Sequence, residues 1–208
     1  MKNVLELPDE EILEEVWRLC SAYKLKHTVR YAGERNPESH SESVAEHIFA
    51  LIYLAHYFLQ HEPVGPSLNT RVVYDTLLFH DFPEIKHGDV VTYQKTAADE
   101  ERERDAAKEV FEALPSSLGP AAFERWHEYE EHETPETQFA YALDKLEPIF
   151  ELFDPVNERS LKRLKITREM HVGNKYRACR EYPVMMRFLE VMTEDMQSRN
   201  VFWVEGKN

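Results

Sequence analysis

Apolar residues in this chain recur at intervals of three and four, and no run alternates polar and apolar for long enough to demand a sheet. That periodicity leaves helices as the building material. Ile12, Leu13, Val16, Trp17, Cys20 and Tyr23 outline a first helix that Asp9 can cap. Ser43-x-x-Glu46 is a capping-box pattern, and it opens a long helix with Ile48, Leu51, Ile52, Ala55, Phe58 and Leu59 as its inner stripe. A further helix from about Thr70 buries Val73 and Leu77 and runs to His80. Pro83 disfavours helix at Phe82 and suits the first turn of a short new helix, which Gly88 stops. Ala97 to Leu114 is amphipathic, turning Ala106, Ala107, Val110, Phe111 and Leu114 inward. Phe123, Trp126 and Tyr129 lie in an acidic helix, and Thr134-Pro135 caps the next one, which carries Phe139, Leu143, Leu146, Phe150 and Phe153 on its inner face and Pro148 as a kink. Residues 30–43 and 62–69 read as loops, residues 154–175 carry no clear pattern, and residues 176–197 close the chain as one or two helices. The expected fold is all-α.

Composition narrows the function classes. At 208 residues the chain is most simply one domain over 1–208, and with 42% hydrophobic and 31% charged residues it is globular rather than disordered. A formal charge of -14 argues against a nucleic-acid binder, which needs a basic face. The same charge requires that any anionic substrate be drawn in by local positive groups. Cys20 and Cys179 form neither a disulfide framework nor a thiolate metal spacing. The acidic start (Glu6, Asp9, Glu10, Glu11, Glu14, Glu15) is unlike a signal or transit peptide, and no apolar run approaches the ~20 residues of a membrane span. A cytoplasmic protein without membrane partners is expected.

Three helical segments carry residues that can meet at one ion: His47, the pair His80-Asp81, and Asp144. Two imidazoles and two carboxylates suit a divalent cation such as Mn, Co, Fe, Zn or Mg and do not resemble a structural thiolate zinc site. Open positions on such an ion can take water and a phosphate oxygen, so metal-assisted phosphate hydrolysis is the leading expectation. Each residue also has a plainer reading. Adjacent helical residues point about 100° apart, so His80 and Asp81 share an ion only near a helix end, which Pro83 supplies. His47 can simply pack against a neighbouring helix. Asp144 lies off the stripe of Phe139, Leu143, Leu146 and Phe150, nearer Glu147 and a solvated face. Together, in this order, the metal reading outweighs three coincidences.

The ordered pattern His, His-Asp, Asp resembles the HD-domain phosphohydrolases. The strings Glu42-Ser43-Val44-Ala45-Glu46-His47, His80-Asp81-x-x-Glu84 with Gly88-Asp89, Trp126-x-x-Tyr129-Glu130 with Thr134-Pro135-Glu136, and Leu143-Asp144-Lys145-Leu146-Glu147 are similar to the branch containing the 5′-deoxynucleotidases. The resemblance covers roughly residues 20–155, with the helices of residues 176–197 expected to pack on that core. It implies a single metal held by His47, His80, Asp81 and Asp144, with Glu84 and Asp89 as the acid/base pair and either able to handle the proton. Glu84, four residues after His80, also projects from nearly the same side on a continuous helix. Arg30 is the preferred phosphate clamp because a guanidinium presents a planar fork, with Arg35 as its rival and Lys95 adding positive charge. Some relatives hold extra metals through histidines in this region, but His127 and His132 sit on a charged face and read as solvated, and His87 stays unassigned. The expected substrate is a small nucleotide, a nucleoside 5′-monophosphate and preferably a deoxynucleotide; a dimer is implied by resemblance alone. Arg30-Tyr31-Ala32-Gly33, in place of the usual Gly-Trp after this Arg, and the added residues 35–41 depart from the branch and leave base and sugar preference open. A triphosphate or signalling nucleotide is the alternative substrate, and a non-catalytic metal-stabilised interaction protein is the alternative of another class.

Overall fold

In the computed structural model, residues 8–30, 41–88, 97–153 and 158–206 are described. Among them the chain is helical, with a lone antiparallel bridge between Val29 and Ser43 in place of any named strand. The helices are α1 (Asp9–Ser21), α2 (Val44–His61), α3 (Thr70–Phe79), α4 (Glu84–His87), α5 (Ala97–Glu112), α6 (Gly119–Glu131), α7 (Pro135–Glu151), α8 (Arg159–Arg163), α9 (Arg168–Cys179) and α10 (Pro183–Ser198). No helix among the described residues is long and apolar enough to cross a membrane.

The capping chemistry sets several starts. Ser43 accepts from the Glu46 amide while the Glu46 carboxylate accepts from the Ser43 amide, so α2 begins where the sequence pattern puts it. Thr134 does the same for α7 with Thr137 in the reciprocal role. Gly88 ends α4 at φ 76°, a left-handed backbone that glycine adopts without steric cost. Two starts differ from expectation. Pro8, not Asp9, is the residue before α1, and α9 begins at Arg168, where the Thr167 side chain accepts from the Met170 amide.

α7 lies at the centre, packed against α3, α9, α2 and α10. One apolar cluster gathers Leu51, Ala55, Phe58, Val73, Leu77, Phe139, Leu143 and Leu146 with residues of α9 and α10. A second gathers Val44, Ile48, Phe79, Phe82, Val110, Phe111 and Trp126. Burying each large side chain is worth roughly 1.5–3 kcal/mol. α2 and α3 both run from one cluster into the other, and His47 and His80 sit at the changeover. The apolar stripe expected of the first helix departs from a core role: Leu13, Val16 and Trp17 of α1, and Tyr23 in the 3-10 segment Ala22–His27, are exposed, because the main neighbour of α1 among the described residues is that segment. Phe153, past the end of α7, is also exposed.

Candidate metal centre

α3 stops at Phe79, and the chain turns through Asp81, Phe82 and Pro83 before α4. That break lets two adjacent side chains converge where a continuous helix would splay them: His80 Nε2 lies 3.2 Å from Asp81 Oδ2. α2 brings His47 Nε2 to 3.7 Å from the same Asp81 oxygen and to 3.1 Å from Asp144 Oδ1. His80 Nε2 lies 3.7 Å from that Asp144 oxygen. His47, His80, Asp81 and Asp144, the ligand set expected from sequence, are therefore brought together.

The plainer reading of Asp144, a side chain on a solvated face of its helix, does not hold. The Asp144 face of α7 is covered by the start of α2 and by α6, so Asp144 and Glu147 are both buried. Asp144 Oδ2 accepts from the Tyr129 hydroxyl at 2.9 Å and from Lys145 Nζ at 2.7 Å, which leaves Oδ1 directed at the two histidines. His80 Nδ1 donates to the Leu77 carbonyl at 2.9 Å, and its buried Nε2 has no hydrogen-bond partner among the described residues. A buried imidazole nitrogen without a donor, aimed at two carboxylates, fits a metal ligand.

Electrostatics agree with that fit. Burial would lower the His80 pKa, but the Asp81 and Asp144 carboxylates outweigh it and raise the value to about 10. For His47, burial and the Arg30 guanidinium act downward, and Glu147 and Asp144 carry the net shift upward. Burial would raise Asp81, but His80 and His47 hold it below the usual carboxylate range; for Asp144, Lys145 and the same two histidines do so. The cluster therefore draws protons onto its imidazoles, and a divalent cation can displace those protons.

Arg30 is delivered by the short pairing of residues 28–30 with 42–44, in which its amide donates to the Glu42 carbonyl at 2.9 Å. Its guanidinium is buried, with Nε 3.1 Å from Glu42 Oε2 and Nη1 3.6 Å from Asp81 Oδ2. Glu84 is buried in the first turn of α4. Both line a cavity of about 930 Å³ together with His80, Asp81, Asp144 and Lys145, and with an aromatic wall of Trp126, Tyr129 and Tyr141. The break after α3 does not separate Glu84 from His80, since both reach this cavity.

Asp89, Lys95 and Arg35, and the side chain of His87, lie outside the described residues. His127 is exposed, as expected. His132 is half-buried instead of solvated: it ends α6 at φ 54° and sets its ring against Tyr141 at 4.1 Å. Sequence reasoning gave no role to Lys145, Tyr129 or Glu147. The signals were the adjacency of Lys145 to Asp144 and the three-residue step from Asp144 to Glu147, which put both carboxylates on one helix face.

A sequence model of the family described as HD domain matches residues 22–185. The human 5′-deoxynucleotidase HDDC2 is 29% identical over 112 residues, 53% of this chain and 52% of that protein. The mouse protein of the same name is 29% identical over 119 residues, 56% of this chain and 57% of that protein. The match thus spans little more than half the length of these curated relatives. A structure from Magnetospirillum magnetotacticum MS-1, described as a predicted metal-dependent phosphohydrolase, aligns with a TM-score of 0.78 and 25% identity over 94% of this chain and 100% of that one. An HD-domain phosphohydrolase from Listeria innocua shares the fold, with a TM-score of 0.61 and 21% identity over 86% of this chain and 88% of that one.

Proposed function

This chain belongs to the HD-domain family, and from that premise we propose that it is a metal-dependent phosphohydrolase that removes the 5′-phosphate from nucleoside monophosphates, deoxynucleotides preferred. The observation that carries the reading is the convergence of His47, His80, Asp81 and Asp144 beside a cavity that Arg30 and Glu84 also line. The likeness to proteins named 5′-deoxynucleotidase supports the substrate class.

A divalent ion held by His47, His80, Asp81 and Asp144 would supply Lewis-acid polarisation of a phosphate oxygen and a bound water of lowered pKa. Arg30 binds phosphate oxygens through its guanidinium, and Lys145 adds positive charge on the same wall. Glu84 accepts the proton of the attacking water as its oxygen bonds to phosphorus. It then returns that proton to the 5′ oxygen as the P–O5′ bond breaks, giving nucleoside and phosphate. Asp89 orients the water or a sugar hydroxyl. Trp126, Tyr129 and Tyr141 exclude water around the sugar and base.

A close wall at C2′ would leave a ribose hydroxyl buried without a partner, which costs ~1–3 kcal/mol, or roughly 5- to 150-fold in kcat/KM. Phosphate release from dAMP against AMP and dCMP against CMP, after metal reconstitution, tests this. The deoxy member of each pair is expected to react faster; equal rates reject the sugar preference. A larger nucleotide remains the second reading because the cavity, about 930 Å³, is near the upper end of small-molecule sites. Cleavage of a triphosphate or signalling nucleotide with no release from any monophosphate would establish it.

A further inference from the structure

Behind the four converging residues lies a buried carboxylate that the proposed reaction does not use. Glu147 Oε2 is 2.8 Å from His47 Nδ1, and both side chains are essentially inaccessible to solvent. Asp144 and Glu147 are three residues apart on α7, so the helix grips one imidazole at both nitrogens: Asp144 Oδ1 faces Nε2 and Glu147 faces Nδ1. His80 has a different backing, the Leu77 carbonyl of its own helix. A backbone carbonyl comes with the fold, whereas the His47 backing depends on one side chain.

We propose that Glu147 is a positioning residue of the metal centre: by accepting the Nδ1 proton of His47 it sets the tautomer that leaves Nε2 as the ligand atom. The physical logic is general. A neutral imidazole offers one lone pair, and the hydrogen bond made by the other nitrogen decides where that lone pair lies. A carboxylate acceptor also makes the ligating nitrogen more basic and fixes the ring plane. Glu42, 3.1 Å from the Arg30 guanidinium, has a carboxylate oxygen within 4.8 Å of donor atoms of both His47 and Glu147. The rival arrangement is a second cation between Glu42, His47 and Glu147, whose donor atoms lie within 4.8 Å of one another.

The inference rests on the metal-centre reading above, and Zn²⁺ alone serves as probe. Zn²⁺ affinity is measured by competition with a chromophoric chelator for wild type, E147A and E147Q, with helix content followed by circular dichroism. Wild type is expected to bind one Zn²⁺. E147A should lose roughly 10- to 100-fold in affinity with its helices intact. E147Q, which keeps an acceptor without the charge, should fall between the two. In Zn²⁺-loaded wild type the His47 Nδ1 proton should give a downfield proton resonance that E147A lacks. Unchanged affinity in both variants, or a wild-type stoichiometry of two that drops to one in E147A, overturns the positioning role while leaving the phosphohydrolase reading in place. Wild type that binds no Zn²⁺, Mn²⁺ or Co²⁺ overturns both.

Discussion

Residue by residue, the centre divides into groups that hold and a group that moves a proton, and substitution should separate them. Asp81 and Asp144 oppose the two histidines, so Asp81→Ala leaves an incomplete site, and elemental analysis should find it depleted of metal relative to wild type. Glu84 stands on the cavity wall in the first turn of α4, outside the ligand set. Glu84→Ala should retain its metal and its helices yet turn over roughly 100- to 10,000-fold more slowly. Near wild-type turnover in that variant would remove Glu84 from the proton-transfer role. Tyr129 complements this arrangement. Burial and then the Asp144 charge keep its hydroxyl pKa well above the ordinary value, so it remains a donor to Asp144 across the working pH range.

Among the elements, α10 shows how a distant side chain can finish a helix. Its first turn lacks a cap from its own flank, and Glu62, just past the end of α2, supplies one: Oε1 accepts from the Met185 amide at 2.6 Å. The other oxygen, Oε2, is buried without a hydrogen-bond partner among the described residues. Burial raises the Glu62 pKa against the lowering effect of the Met185 and Val184 amides. A carboxyl with a folded pKa above its unfolded one favours the native state most below the unfolded value of about 4.5, and that contribution is lost as pH rises through the folded value. Glu62→Gln keeps an acceptor and cannot ionise, so its melting temperature should gain on wild type as pH rises above about 4.5. Glu62→Ala loses the cap, at about 1 kcal/mol, and should melt below both. A Gln variant that tracks wild type at every pH would show that the charge is immaterial here. Gly119 sets the junction of α5 and α6 differently: an added Cβ would lie 2.3 Å from the Phe111 carbonyl oxygen, so only glycine lets the two helices meet there.

For the whole molecule, net charge works against an anionic substrate, and the cavity wall carries more carboxylates than cations. A chain at -14 repels a nucleotide anion at long range, while the divalent ion of the proposed site, with Arg30 and Lys145, would attract it at short range. The Debye length falls from about 30 Å at 0.01 M salt to about 8 Å at 0.15 M, so added salt screens the distant repulsion more than the short-range attraction. kcat/KM for a nucleoside monophosphate should therefore rise over that range of ionic strength; a fall would mean that the local cations dominate the approach. The all-α fold, the start of α2 at its capping box, the stop at Gly88 and the order His47, His80-Asp81, Asp144 were all legible in the sequence, because periodicity, capping and motif order are local properties of the chain. The start of α9 was harder to read, since its polar composition hid the Thr167 cap. Motif order placed Asp144 in the site against its helical spacing, and the burial of Glu147 was not legible at all. Helical spacing assigns a polar residue off the apolar stripe to solvent, and only the arrival of α2 and α6 on that face turns it into the backing of a site. The same holds in reverse for the exposed apolar face of α1. A sequence states which face of a helix is apolar and which is polar; what covers each face is decided by the packing of helices far apart in the chain.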